Sequence, residues 1–141
     1  NATPFASIPA SGTATYNGGV EGVYTISGQS TISLIAGSST FNVNWASQQI
    51  SGSFHSLTDT TLGTGFNTLS MAATSISSST GHGDFATFNG ELTGTGFNTY
   101  SWSNDIYGTF YGASAESIGG TWELTNNSAT GNGAGYFAAK R

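Results

Sequence analysis

Seven carboxylates and two histidines, set among abundant serines, are the groups in this sequence that could do chemistry. The acids are Glu21, Asp59, Asp84, Glu91, Asp105, Glu116 and Glu123, and no two lie within four positions of each other. A calcium loop needs oxygen ligands at alternate positions, so that signal is absent. A glycosidase pair can be far apart in sequence, so a hydrolase built on two of these acids stays open as an alternative. A Ser-His-Asp triad has no Gly-x-Ser-x-Gly elbow to support it. His82 stands between glycines in Ser79-Thr-Gly-His-Gly-Asp84. That setting suits a switchable ligand better than a rigidly oriented base. His55 alternates with Phe54 and should face away from it. Neither catalytic nor metal-binding residues are assigned.

The aromatic residues offer recognition instead. Tyr100, Trp102, Tyr107, Phe110 and Tyr111 crowd one stretch. Period 2 puts Tyr107 with Tyr111 on one face of a strand and Phe110 on the other. An exposed row of Tyr and Trp would make a protein- or sugar-binding patch. The competing reading is that these rings fill the inside of a small barrel, because aliphatics are few.

Charge narrows the partners. The 141 residues hold two cations, and both, Lys140 and Arg141, come last. Nucleic-acid binding needs Lys and Arg against phosphates, so nucleic acid is excluded as a partner. Attachment to anionic lipid and a clamp for phosphorylated substrates fail for the same reason. With no cysteine, disulfides, zinc-thiolate sites and cysteine nucleophiles are ruled out. No apolar run approaches the roughly 20 residues of a transmembrane helix. Asn1–Phe5 has neither the basic region nor the apolar core of a signal peptide.

The elements that must position these groups are strands. Phe41, Val43 and Trp45 alternate with polar neighbours, as do Ile50, Gly52 and Phe54. The pattern predicts strands near 12–17, 20–27, 30–36, 40–47, 49–57, 66–76, 84–93, 105–112, 119–125 and 133–139, with some merging. Turns are expected at Asn17-Gly18-Gly19, Ser27-Gly28-Gln29, Gly37-Ser38-Ser39, Asn89-Gly90 and Asn126-Asn127. One helical turn is expected near 114–117. Sheet edges normally carry Lys or Pro as guards, and this chain has almost none. Closing the sheet removes the edge, so the expected fold is all-β, a single closed antiparallel barrel. Gly63-Thr-Gly-Phe-Asn-Thr68 recurs as Gly94-Thr-Gly-Phe-Asn-Thr99. The echo reads as two equivalent loops entering strands, or as one aromatic binding edge.

The C-terminal third carries the most specific pattern. Phe110-Tyr-Gly112, Ala113-Ser-Ala-Glu116, Gly119-Gly120 and Trp122 are followed by a close at Phe137-Ala-Ala-Lys-Arg141. These stretches resemble the barrel domains of transferrin-binding protein B and of neisserial heparin-binding antigen. Ile8–Gly18 looks like the opening strand of such domains, and Asn44–Gly52 like one of their turns. The resemblance implies an eight-stranded barrel over 8–141 behind a tail at 1–7. It also implies a non-catalytic surface lipoprotein or secreted protein of a Gram-negative bacterium. Such a protein would display loops to a macromolecular, possibly host, partner in nutrient acquisition. Relatives similar to hemophilin take up heme. Here the alternative ligand-binding residues are His82 or His55 with nearby Tyr100 and Trp102, with heme as the cofactor in that case and none otherwise. The chain has one barrel, no handle domain and no basic character, so the host partner of any relative does not transfer.

Overall fold

A computed structural model describes residues 1–26, 32–61, 63–65, 68–79, 83–94, 102–126 and 131–141, with backbone alone at 26, 64–65, 102–104, 125–126 and 131. The strands are β1 (Thr13–Ile26), β2 (Ile32–Asn44), β3 (Gln49–Asp59), β4 (Thr64–Gly65), β5 (Leu69–Ser79), β6 (Phe85–Thr93), β7 (Trp102–Tyr111), β8 (Ser117–Asn126) and β9 (Gly131–Lys140). All pair antiparallel. Eight follow one another around a ring, while β4 caps the end of β3. The ring closes where β1 meets β9, in register from Asn17↔Lys140 to Ile26↔Gly131. The expected closed barrel is the observed fold.

Where two short strands were expected, one long strand runs. The predicted turns at Asn17-Gly18-Gly19, Gly37-Ser38-Ser39 and Asn89-Gly90 lie inside β1, β2 and β6. Their glycines face something other than a bend. A Cβ on Gly18 would stand 1.9 Å from the Ala138 carbonyl oxygen of β9, and one on Gly90 would stand 2.7 Å from Met71 Sδ. Glycine serves there as a place where a neighbouring strand or an inner side chain comes close. At 112–115 the chain makes a turn, not the expected helical turn, because Gly112 and Ala115 both take positive φ (97° and 60°). Among the described residues the one 3-10 helix is Phe5–Ser7.

The interior is a stack of rings. Phe41 lies 5.0 Å from Phe137, 6.0 Å from Phe88 and 6.2 Å from Phe54, centroid to centroid. Tyr16, Trp45, Phe110 and Trp122 extend the stack. Inward glycines make room for them: Gly22 and Gly135 lie under Trp122, Gly52 under Phe41 and Gly108 under Phe88. Among the described residues the Trp122 indole N–H has no hydrogen-bond partner. Steric seating between glycines therefore fixes this ring in place of a polar contact. Of the aromatics crowded at 100–111, Phe110 fills the barrel and Tyr107 and Tyr111 are exposed, while Tyr100 and the Trp102 side chain lie outside the described residues.

Asn1–Phe5 is woven into the wall. The β6–β7 ladder stops at Thr87↔Thr109. Below it, Thr3 N–H donates to the Phe110 carbonyl, Ala86 N–H to Thr3 and Gly112 N–H to Asn1. Isolated bridges Ala2↔Tyr111 and Pro4↔Phe85 satisfy both diverging strands.

Tyr16 secures the bottom of the stack, its hydroxyl donating to the Ala115 carbonyl. Burial pushes the Tyr16 phenol up from 10.0 to about 12. The fold favours the neutral form, so this contribution is complete below pH 10 and is lost as pH climbs toward about 12. In thermal melts across that range, the wild type should lose stability steeply. Tyr16→Phe should start lower and show a flatter alkaline decline. An equal slope in both proteins would show that Tyr16 does not drive it.

Candidate binding surface

Strand direction sorts the connections between two ends. Ile26, Ile32, Asp59, Leu69, Thr93, Trp102, Asn126 and Gly131 stand at one, called here the loop end. The other end holds the Trp45–Gln48 turn, Gly112–Ala115 and the last residues. Arg141 braces that second end, its guanidinium donating to the Ser114 carbonyl at 2.7 Å. The Glu116 carboxylate accepts from Ser114 N–H, which holds it below the usual carboxylate range. Arg141 is thus architectural.

The repeated hexapeptide maps to the loop end. Its first copy immediately precedes β5, and the second begins where β6 stops. A Cβ on Gly94, which opens the second copy, would stand 2.6 Å from the carbonyl oxygen of Thr68, which closes the first. The copies are therefore neighbours in space. Residues 66–67 and 95–99 of the repeat lie outside the described residues.

One polar cluster lies beneath that end. Plain alternation from Phe54 would turn Asp59 outward. A bulge between β2 and β3, with Ser56 at φ 53°, shifts the pattern so that Leu57 and Asp59 point in. Asp59 is fully buried. It accepts from the Tyr24 hydroxyl at 3.3 Å and from Thr61 N–H at 2.8 Å. Burial raises the Tyr24 phenol above its ordinary value. Spacing in the sequence gave no sign of this arrangement, because a bulge is invisible to a period-2 count.

The sequence-derived candidates do not converge. His55 faces outward on β3, as alternation requires, with Nε2 3.1 Å from Thr40 Oγ1 and Nδ1 3.5 Å from Ser56 Oγ. Trp102 opens β7 at the loop end, and only its backbone is described. Tyr100 and His82 lie outside the described residues; Ser79 and Gly83, which flank the latter, stand at the opposite end from Trp102. A heme site does not fit the described residues: rings fill the interior, and the partners of the His55 ring are Thr40 and Ser56.

What the fold does expose is a wall. Tyr107 and Tyr111 are half-exposed while Phe110 is buried, in agreement with the period-2 assignment. They flank a shallow trough of about 490 Å³ floored by Gly108, Gly119 and Gly120. Tyr136, 58% exposed, donates its hydroxyl to Glu21, and that bond together with the carboxylate's charge raises its pKa. Val23, Ile32 and Leu34 add exposed aliphatic surface.

The architecture has clear relatives. The family model for the C-lobe and N-lobe beta barrels of Tf-binding protein B matches residues 8–141. The chain belongs to this family. A transferrin-binding protein B double mutant from Haemophilus parasuis shares 19% identity at a TM-score of 0.70, covering 99% of this chain and 27% of that one. Isotype 1 transferrin-binding protein B from serogroup B Neisseria meningitidis shares 19% identity at 0.59, with 99% and 27% covered. A structure described as a surface lipoprotein shares 16% at 0.52, with 98% and 64% covered. The chain therefore spans about a quarter of the transferrin-binding proteins it matches. No curated protein sequence matches it. Within the transferrin-binding protein B barrel, Phe110-Tyr-Gly112 and Gly119-Gly120 are structural. Gly112 leaves room for the Glu116 carboxylate, and Gly120 lets the Tyr107 carbonyl of β7 approach.

Proposed function

We propose that this barrel is a non-catalytic binding domain on the surface of, or secreted by, a Gram-negative bacterium. It presents its loop end to a protein partner. The observation that carries this reading is the filled interior: among the described residues nine buried aromatic residues occupy the space a ligand inside the barrel would need, so recognition falls to the outside. Membership in the transferrin-binding protein B barrel family supports protein binding, and makes a host transferrin the first partner to test. The repeat's paired loops, with Tyr100 and Trp102 between β6 and the start of β7, would form the contacting edge. His55, on the outer face of β3, falls away from it.

Immobilised protein exposed to host serum, purified transferrins and envelope extract should capture one protein saturably. A Tyr100→Ala/Trp102→Ala variant should lose most of that capture while keeping its melting temperature. Failure to capture from all three sources would sink the reading.

A further inference from the structure

We propose that the outer wall beside the loop end, spanning β6 through β9 to β1 and β2, is the docking surface for a basic segment of the partner protein, one presenting several Lys or Arg side chains. The inference rests on the binding reading above and adds the place and the chemistry.

The strand registers align two outward rows. In the row closer to the loop end, Glu91↔Asp105↔Glu123↔Ala134↔Val23↔Leu34 stand directly opposite one another across six strands. The next row places Tyr107, Thr121, Tyr136 and Glu21 in the same order. All ten of these residues are exposed. Three carboxylates thus sit side by side with Cβ atoms about 5 Å apart, an arrangement that costs stability when nothing offsets it.

No cation among the described residues offsets it. Five of the seven acids, Glu21, Asp59, Glu91, Asp105 and Glu123, lie in the loop-end half, and no cation joins them. Asp84 and Glu116 stand in the other half with Lys140 and Arg141, where the formal charges cancel. The formal net charge of -5 therefore belongs to one half of the barrel. A partner that brings cations to this wall relieves repulsion that the free protein must bear, and is steered to it from a distance.

The neighbours favour a basic protein over a small cation. The ring faces of Tyr107 and Tyr136, 50% and 58% exposed, can carry Lys or Arg side chains. Val23 and Leu34, 43% and 52% exposed, supply an apolar strip beside the charges.

A short Arg-Ser repeat peptide serves as the probe, with binding mapped by amide chemical shifts at low ionic strength. Shifts should concentrate on Asp105, Tyr107, Glu123 and Tyr136, and weaken as salt is added. A Glu91→Gln/Asp105→Asn/Glu123→Gln variant should melt higher than wild type and bind about tenfold more weakly; Tyr107→Ala/Tyr136→Ala should lose about fivefold or more. Asp84→Asn should stay within about twofold, as a distant rim charge does. Four results would each overturn the proposal: no binding, shifts spread over both ends, equal weakening by Asp84→Asn, or no effect of the tyrosine changes. A lower melting temperature for the neutralised variant would remove the repulsion argument. Serum capture can fail while this mapping succeeds, and the reverse, so the two readings fail separately.

Discussion

Gly135→Ala should destabilise the barrel by about 3 kcal/mol, the upper part of the usual overpacking range. For a domain of this size that is a drop of roughly 6–12 °C in melting temperature. The Cβ it adds would stand 2.0 Å from the Glu21 carbonyl oxygen and 2.6 Å from the Trp122 ring. One obstacle is backbone of the closing partner strand, so it cannot turn aside; the other is the largest ring in the core. On the β1 side of the same seam, a Cβ on Gly18 or Gly22 would stand 1.9 or 2.6 Å from a β9 carbonyl oxygen. Glycine on both strands lets them coil sharply enough to close the ring. Gly19→Ala is the matched control: its Cβ would point outward, 3.8 Å from its nearest neighbour. That change should move the melting temperature little or raise it slightly. Equal behaviour of the two variants would mean that the seam does not depend on its glycines.

Phe41→Ala should have the largest effect of any single truncation, about 3–5 kcal/mol. Phe41 is fully buried, and its ring meets Phe54, Phe88 and Phe137, which come from three other strands. Removing it takes one side from each of three ring contacts and leaves Gly52, which has no side chain, facing the void. Total stabilities of about 5–15 kcal/mol leave little margin for such a loss, so chemical denaturation should show a much lower midpoint. Ile32→Ala, on an exposed residue, should change the midpoint by less than about 0.5 kcal/mol. A Phe41→Ala midpoint close to wild type would show that the ring stack repacks freely.

The two cases differ in how visible they are from the sequence. Phe41 is marked by its alternation with Asn42 and by neighbours Val43 and Trp45, so its place in a core follows from period 2. Gly18 sits in Asn17-Gly18-Gly19, which has the composition of a turn. Its actual role depends on Ala138, far away in the chain and brought close only by the closing strand. Tyr107, Tyr111 and His55 stand on the faces that alternation assigns, because no bulge separates the two tyrosines from Phe110 and His55 comes just before the bulge at Ser56. Asp59 could not be placed, because the extra residue at Ser56 reverses the face of everything after it on β3.

By itself, the sequence determined the architecture and the limits on partners. Alternating residues in short strands fit an antiparallel sandwich or barrel, and nearly no charge to guard an open edge favours the closed barrel. With Lys140 and Arg141 as its only Lys and Arg, the rest of the sequence offers no side chain to pair with phosphates. The Phe-Tyr-Gly and Gly-Gly motifs carried the resemblance to the family, and two of their glycines, Gly112 and Gly120, stand where a Cβ would meet Glu116 and the Tyr107 carbonyl. Only the tertiary structure decided which acids become neighbours. Glu91, Asp105 and Glu123 are scattered along the chain, and nothing local encodes their alignment. Strand register creates it, and register is set jointly by inward rings, seam glycines and bulges on several strands at once. For the same reason the two halves of the barrel differ in charge, although the composition gives only their sum.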